Sequence, residues 1–390
     1  MDEFMVATVE LETEINVEER LAEIATIEDE SARAEALVEL APQLAGASFN
    51  LLVRVMTVVQ AIQNKRDRLN VLSAMLPYLP DRLQGQVLAL ISELEEPDGP
   101  ELSVFEFEVA SLVPTRAGWE VYREPQSAYQ FVEVLGEESN LEMVAISSGR
   151  FVMGSPENEP ERYNDEGPQH EVTVETFCLG KYPITQAQWR FVTGLEQVER
   201  TLEADPSNYK GDDRPVEQVS WSEAVEFCQR LSRYSGKAYQ LPSEAQWEYA
   251  CRAGTQSPFY FGDTISSELA NYQGTTAYNG GPEGEDRDAT TPVDYLGAAN
   301  AFGLCDMHGN VWEWCADHWH ENYEGAPTDG SAWLTEEENA SRVRRGGSWF
   351  NDPWYCRSAT RNFLRPDDRF SYVGFRVCCP APRTLQPPAG

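Results

Sequence analysis

Three capping boxes in a loop-rich stretch constrain this chain more than any other feature. A hydroxyl residue precedes Gln or Glu by three positions at Thr185 to Gln188 in "TQAQWRFV", Ser220 to Glu223 in "SWSEAVEFCQRLSRYSG" and Ser243 to Gln246 in "LPSEAQWEYACRAG". The hydroxyl can accept from one amide while the longer side chain reaches back to another, so each pair marks a helix start. The second and third helices are predicted to end on Gly236 and Gly254. From "NLEMVAISSGRFVMGS" onward the surrounding sequence has short strand-like runs, many Gly, Pro and Trp residues, and long polar loops. Few helices among many loops imply an irregular α+β domain over 139–380, whose loops need a further agent of order.

Upstream the pattern is helical from about 17 to 95. "RAEALVELAPQL" and "RLNVLSAMLPYL" superimpose at an offset of 35 residues, with Arg33 on Arg68, Leu37 on Leu72, Pro42 on Pro77 and Leu44 on Leu79. Apolar residues recur at helical spacing and a Pro closes each helix. A period near 35 suits a short α-α repeat array, so 1–100 is predicted to be a small α-helical repeat domain. Such helices either bind a protein partner or act as a spacer. "EEPDGPELS" then breaks the pattern, and "FEFEVASLV" alternates as a strand. Residues 101–138 are predicted to be a linker with that short strand, and 381–390 a tail.

The formal net charge is −35. A surface that negative repels phosphate backbones and argues against nucleic-acid binding. The most apolar stretch, "LLVRVMTVV", is short and interrupted by Arg54, so no membrane span is expected. The acidic start "MDEFMVATVELETE" lacks the features of a secretory signal, which predicts a cytoplasmic protein. Eight cysteines contain no C-x-x-C pair, and the four histidines are His170, His308, His318 and His320. No His-ligated metal is therefore expected in the first 169 residues.

Residues 344–377, "RRGGSWFNDPWYCRSATRNFLRPDDRFSYVGFRV", crowd seven aromatics between Trp349 and Tyr372. One set reads as frame: Arg344, Gly346, Gly347, Ser348, Trp349, Pro353, Cys356, Arg357, Ser358, Ala359, Arg361, Arg365, Gly374, Phe375 and Arg376. Between them lie Phe350, Asn351, Asp352, Trp354, Tyr355, Thr360, Asn362, Phe363, Leu364, Phe370, Ser371 and Tyr372. This second set follows neither a strand nor a helix period, and it mixes large rings with small polar groups. A recognition surface uses that blend, with stiff aromatic anchors and adaptable hydrogen-bonders. Internal packing of the rings is the alternative, and it is preferred for Trp349 and Phe375.

"GRFVMGS", "EGPQHEVTVETFCLGKYPITQAQW", "RPVEQVSWSEAVEFC", "LPSEAQWEYACRAGT", "NAFGLCDMHGNVWEW", "RRGGSW" and "GFRV" follow one another in order. Together they closely resemble the formylglycine-generating enzyme (sulfatase-modifying factor) family, whose fold is a variant of the C-type lectin fold. The resemblance implies bound calcium. Asp306 and Glu313, with the carbonyls of Gly309 and Val311, would form one all-oxygen site of the kind hard cations favour. A second would start at Asn271 and the Tyr272 carbonyl, with one acid from Glu283, Glu285, Asp286 and Asp288.

The family's oxidase chemistry needs two cysteines spaced C-x4-C, which hold Cu(I) through soft thiolates. The second position here is Cys356, but the first is Asn351. No copper and no formylglycine-generating activity are therefore expected. A related catalytic branch carries iron on N-terminal histidines, which this chain lacks. His318 and His320 read as packing or surface residues, and Cys356 as a buried small residue. The frame also resembles that of variable proteins from diversity-generating retroelements, a non-catalytic branch with the same domain. Their C-terminal segment is diversified at adenine-bearing codons, which suits Asn351 and Asn362. The expectation is a non-catalytic binder of a variable, protein-like ligand. The alternatives are a diverged oxidase using Cys356, or an adaptor acting through its N-terminal helices.

Overall fold

The computed structural model describes residues 17–95, 102–136, 139–337 and 339–382. The chain divides into two compact units, Met1–Asp98 and Gly99–Gly390. Of the expected tail, residues from 383 on lie outside the described ones.

The first unit runs α1 (Val17–Ala25), α2 (Glu30–Leu40), α3 (Phe49–Gln60), α4 (Lys65–Met75) and α5 (Asp81–Glu95). Asp29, Ser48 and Asn64 cap α2, α3 and α4 by accepting from amides three residues on. α2 and α4 start 35 residues apart, and each runs into a single 3₁₀ turn carrying Pro42 or Pro77. The matched Leu37, Leu44, Leu72 and Leu79 are all buried in one core with Val55, Val59 and Met75.

The second unit opens with β1 (Ser103–Thr115) and β2 (Gly118–Val134), followed by β3 (Asn140–Ile146), β4 (Gly149–Met153), β5 (His170–Val174) and β6 (Phe177–Gly180). Helices α6 (Gln186–Thr193), α7 (Trp221–Ser235) and α8 (Glu244–Arg252) come next. The chain closes with β7 (Trp312–His318), β8 (Arg342–Arg345), β9 (Arg361–Leu364), β10 (Val373–Gly374) and β11 (Cys378–Pro380). One sheet has the order β1-β2-β3-β6-β11, and a second the order β10-β7-β8-β9.

The expected linker is corrected here. Residues 103–134 form a long antiparallel hairpin, in register from Ser103 opposite Gln130 to Thr115 opposite Gly118. Its turn half packs one face inward, through buried Ala110 and Leu112 and half-buried Trp119 and Val121, while residues 124–127 of the second strand are exposed. The exposed "EPQS" in the middle of the second strand interrupts the alternation that identifies strands.

All three capping boxes form reciprocally, as the spacing predicts. Helix α7 ends on Gly236 in the left-handed region, at φ 72°. Helix α8 turns one residue earlier than expected, at Ala253, with Gly254 following at positive φ. Trp189, Phe227 and Phe375 meet between α6, α7 and the C-terminal strands, with Trp312 and Trp314 of β7 in the same core. The irregular α+β class expected for this unit, preceded by helices, is the observed one. The second sheet carries the segment of interest, since β8, β9 and β10 all fall between residues 342 and 374.

Candidate ligand-binding site

Buried arginines hold segment 344–377 in place. Arg357 pairs with Glu166 through two nitrogens, at 2.8 and 2.5 Å, and with Glu159 at 2.6 Å. Arg361 grips Glu244 of α8 at 2.6 and 2.9 Å, and Arg345 pairs with Glu248 of the same helix. Arg376 closes on both oxygens of Glu313 at 2.6 Å each. These guanidiniums are essentially inaccessible, and an ion so placed persists only when paired and hydrogen-bonded. An acidic chain thus uses arginines internally, to tie an irregular segment to α8, β7 and the loop before β5.

The partition of the segment follows burial. The frame residues are buried, with Arg365 the exception. The second set is more exposed: Phe350 is 60% and Phe363 44% exposed, and Asn351, Asp352, Trp354, Tyr355, Asn362, Leu364, Phe370, Ser371 and Tyr372 are half-buried, with Trp354, Tyr355, Leu364, Phe370 and Tyr372 also packing against the core. Rings of this set stack in a row, Phe370 on Tyr372 at 5.1 Å and Tyr372 on Phe350 at 5.7 Å between centroids. Phe363 leans on Trp319, and Tyr355 on Tyr163. Thr360 is a correction. It is fully buried, its hydroxyl donates to the Trp354 carbonyl at 2.9 Å, and its own carbonyl accepts from Arg345. Its polar side chain resembles the outward set in sequence, but it serves the frame.

Beneath the row, Arg344 sits over the rings of Trp312 and Tyr372, with one nitrogen donating to Asn362 at 3.1 Å. Two of its nitrogens are buried without a partner, and burial lowers its pKa to about 10. Beside the row lies a cavity of about 380 Å³ lined by Gln273, Asp286, Asp288, Trp349, Phe350, Asn351, Asp352 and Tyr355. The Gln273 amide donates to the Asn351 carbonyl at 2.9 Å, pinning the acidic loop against the segment.

The residues expected around calcium divide in two. Both oxygens of Glu313 are engaged by Arg376, and one also accepts from Trp247 Nε1 at 2.8 Å. Asp306 accepts the Asp294 amide at 3.1 Å, and burial raises its carboxyl to about 6. A carboxylate serving as counter-ion to a buried guanidinium does not fit the expected site with Gly309 and Val311. Among the described residues no group of three or more His, Cys, Asp or Glu is gathered for a metal. Asn271 differs. Its Nδ2 donates to the Ala289 carbonyl at 2.9 Å, while its Oδ1 is buried with no partner. Tyr272 follows it, and the backbone of Glu285 packs so closely on Gly274 that a Cβ there would collide with it. An oxygen donor set with one orphaned buried oxygen fits a hard cation.

Sequence reasoning missed Asn310. Its amide donates to the Asn271 carbonyl at 2.7 Å, its carbonyl accepts from Trp349, and its side chain bridges Asn271 and Thr291. The residue lies inside the quoted "DMHGNVWEW" motif, and its positive φ of 60° is a conformation that Asn tolerates. Gly309 beside it, at φ 82°, passes so close to the Asn271 carbonyl that no side chain fits.

Cys356 is fully buried, and desolvation pushes its thiol well above the usual range. His308 faces the Cys356 carbonyl rather than the sulfur: Nε2 accepts from the Tyr260 amide, so Nδ1 carries the proton and donates at 2.7 Å. His318 accepts from the Thr335 amide, and His320 stacks on Trp333. Both act in packing, as expected.

Residues 130–380 match the sulfatase-modifying factor enzyme 1-like domain. The formylglycine-generating enzyme of Mus musculus is 30% identical over 287 residues, covering 60% of this chain and 74% of that one. The solved structure of PvdO from Pseudomonas aeruginosa is 36% identical with a TM-score of 0.55, over 64% of this chain and 98% of that one. Treponema denticola variable protein 1 shares the fold, with a TM-score of 0.54 at 24% identity over 65% of this chain and 99% of that one. The domain match spans well over half of the residues, and the chain belongs to the sulfatase-modifying factor enzyme 1-like family.

Proposed function

We propose that this chain is a non-catalytic ligand-binding protein whose C-terminal lectin-like domain presents residues 350–372 as a diversified surface, in the manner of diversity-generating retroelement variable proteins. One observation carries the proposal. Eleven of the twelve outward-set residues are exposed or half-buried, while the interleaved frame, Arg365 apart, is buried and ion-paired. A surface built this way can change its exposed side chains while the arginine ion pairs that tie the segment to the domain stay in place. Asn351 at the first copper position and the buried Cys356 thiol give the oxidase alternative no pair of soft ligands.

Calcium belongs to this proposal at Asn271 Oδ1 and the Tyr272 carbonyl, with one acid from Glu283, Glu285, Asp286 and Asp288, where it would order the loop beside the binding surface. Binding by a rigid surface loses little side-chain entropy. For the helical unit we propose a protein partner, since a groove lined by Glu35, Val38, Asp67 and Asn70 opens between α2 and α4. A cytoplasmic location suits the eight free cysteines.

The test is on DNA flanking the gene. A near-copy of codons 344–377, differing where it has adenine, is the expected result. Absence of both the copy and a neighbouring reverse transcriptase would overturn the diversified reading and favour a fixed ligand.

A further inference from the structure

We propose that Arg344 anchors a carboxylate of the ligand, carried by an acidic side chain or the chain terminus of a peptide. The inference rests on the ligand-binding reading above and adds the chemistry of one subsite to it.

Arg345, Arg357, Arg361 and Arg376 each meet a buried glutamate. Arg344 is the exception among the buried arginines of the segment. It is 7% exposed, it forms no ion pair among the described residues, and its Nε and Nη1 are buried with no partner. A guanidinium so placed is costly until an anion reaches it. Asp368 lies close enough to act on its charge, but the Asp368 carboxylate accepts the Arg365 amide at 3.0 Å. Arg342, two residues along β8 and therefore on the same face, repeats the pattern. Its guanidinium lies 3.7 Å from the Trp221 ring, one nitrogen donates to the Ala316 carbonyl at 2.9 Å, and Nε has no partner. Two unpaired cations side by side leave a local positive field beneath the outward set.

The surroundings of Arg344 decide which anion. Trp312 and Tyr372 hold their rings against the guanidinium, with centroids at 4.7 and 5.6 Å, and so fix its plane. A planar fork of donors matches the two oxygens of a carboxylate. The anchor is preset, because Trp312 is itself held by Asn351, and β8 is paired on both sides, with β7 and β9. Asn362, which accepts from Arg344 Nη2 at 3.1 Å, and Tyr372 are the outward-set residues in contact with it. Both are half-buried, and rotation of either side chain opens the guanidinium to a ligand. The net charge of −35 disfavours acidic partners at long range. Salt screens that repulsion beyond about 8–10 Å, whereas a desolvated pair in contact is screened far less.

The test selects a displayed library of random peptides with free C-termini on the full chain. Enriched peptides are then compared with copies carrying Asn for Asp and Gln for Glu, and with copies amidated at the C-terminus. One of these neutralisations is expected to lower affinity about ten-fold or more, the scale of a hydrogen-bonded charge pair losing one partner. Which one does so names the source of the carboxylate. Arg344→Gln should remove the discrimination. Asn362→Asp puts a carboxylate within reach of the guanidinium. It should remove the discrimination too while raising the melting temperature, and it serves even if Arg344→Gln fails to fold. Enriched peptides indifferent to both neutralisations, or an acid preference that persists in Asn362→Asp, would overturn the inference. If those peptides still depend on Trp354 and Phe363, the binding reading survives alone. Selection that yields no peptide sensitive to Phe350, Trp354 or Phe363 overturns both.

Discussion

Trp312 Nε1 donates to Asn351 Oδ1 at 2.7 Å, and Ser348 Oγ donates to the same oxygen at 2.6 Å. Resemblance to the catalytic enzymes implies a copper thiolate at this position, and here a hard amide oxygen holds two neutral donors instead. The wild-type chain is expected to take up no stoichiometric Cu(I), while Asn351→Cys restores the C-x4-C pair with Cys356 and gains it. Losing the Trp312 bond costs about 1 kcal/mol of stability. Competition with a chromogenic Cu(I) chelator reads both outcomes. One copper per wild-type chain, lost on Cys356→Ser, would return the oxidase reading to the front.

Arg357→Met should destabilise the protein by about 3–5 kcal/mol, because it leaves Glu159 and Glu166 buried beside each other without their cation. Chemical denaturation monitored by tryptophan fluorescence measures the change. A loss below about 1 kcal/mol would mean that water reaches these carboxylates, and that the buried pairs are not what fixes the segment.

Thr360 and Phe363 separate frame from surface. Phe363→Ala removes a ring that is 44% exposed, and stability should stay within about 0.5 kcal/mol of wild type while peptide binding weakens. Thr360→Ala removes a buried hydroxyl bond, and should cost about 1–2 kcal/mol of stability with little direct effect on ligand. Reversed behaviour of the pair would dissolve the division between buried frame and variable surface.

What could be read from the sequence was local or followed a motif. The capping boxes at Thr185, Ser220 and Ser243 are three-residue patterns whose geometry travels with them, and all three form. The frame residues of 344–377 were separable from the outward set because arginine, glycine and small residues stand apart from rings and amides. Thr360 was misplaced because a buried, hydrogen-bonded Thr and an exposed one look alike in sequence. The partners of the arginines were not legible. Glu159, Glu166, Glu244 and Glu248 lie some 100 to 200 residues before Arg345, Arg357 and Arg361, and nothing local marks a glutamate as buried. The second strand of the 103–134 hairpin escaped for a different reason, since exposed Glu124, Pro125, Gln126 and Ser127 interrupt its alternation.

Glu217 gives a pH dependence. It is buried, one oxygen accepts the Tyr209 amide at 2.8 Å, and the other has no partner. Desolvation raises its carboxyl from 4.5 to about 7. A raised acid favours the folded state below the unfolded value, and that contribution is lost as pH rises from about 4.5 through 7. Glu217→Gln should therefore match wild type near pH 4.5 and exceed it above pH 7, by about 1–3 kcal/mol. Melting temperatures of both proteins across that window measure the divergence. Parallel curves would show that the Glu217 carboxylate is solvated in the folded protein.

Calcium is the last expectation, and Asn271 makes it specific. Its Oδ1 is buried without a donor, and an oxygen so placed costs about 1–3 kcal/mol unless something binds it. Adding a chelator to protein purified with calcium should lower the melting temperature by several degrees, and restoring calcium should reverse the shift. Asn271→Ala should abolish the calcium response. Of single amide substitutions at Glu283, Glu285, Asp286 and Asp288, one should weaken it most, which identifies the acid that completes the site. Glu313→Gln should lower stability equally with and without calcium, since that carboxylate answers to Arg376. If instead Glu313→Gln removes the calcium response and Asn271→Ala leaves it, the ion lies on the Asp306 side and Arg376 shares its carboxylate with a metal.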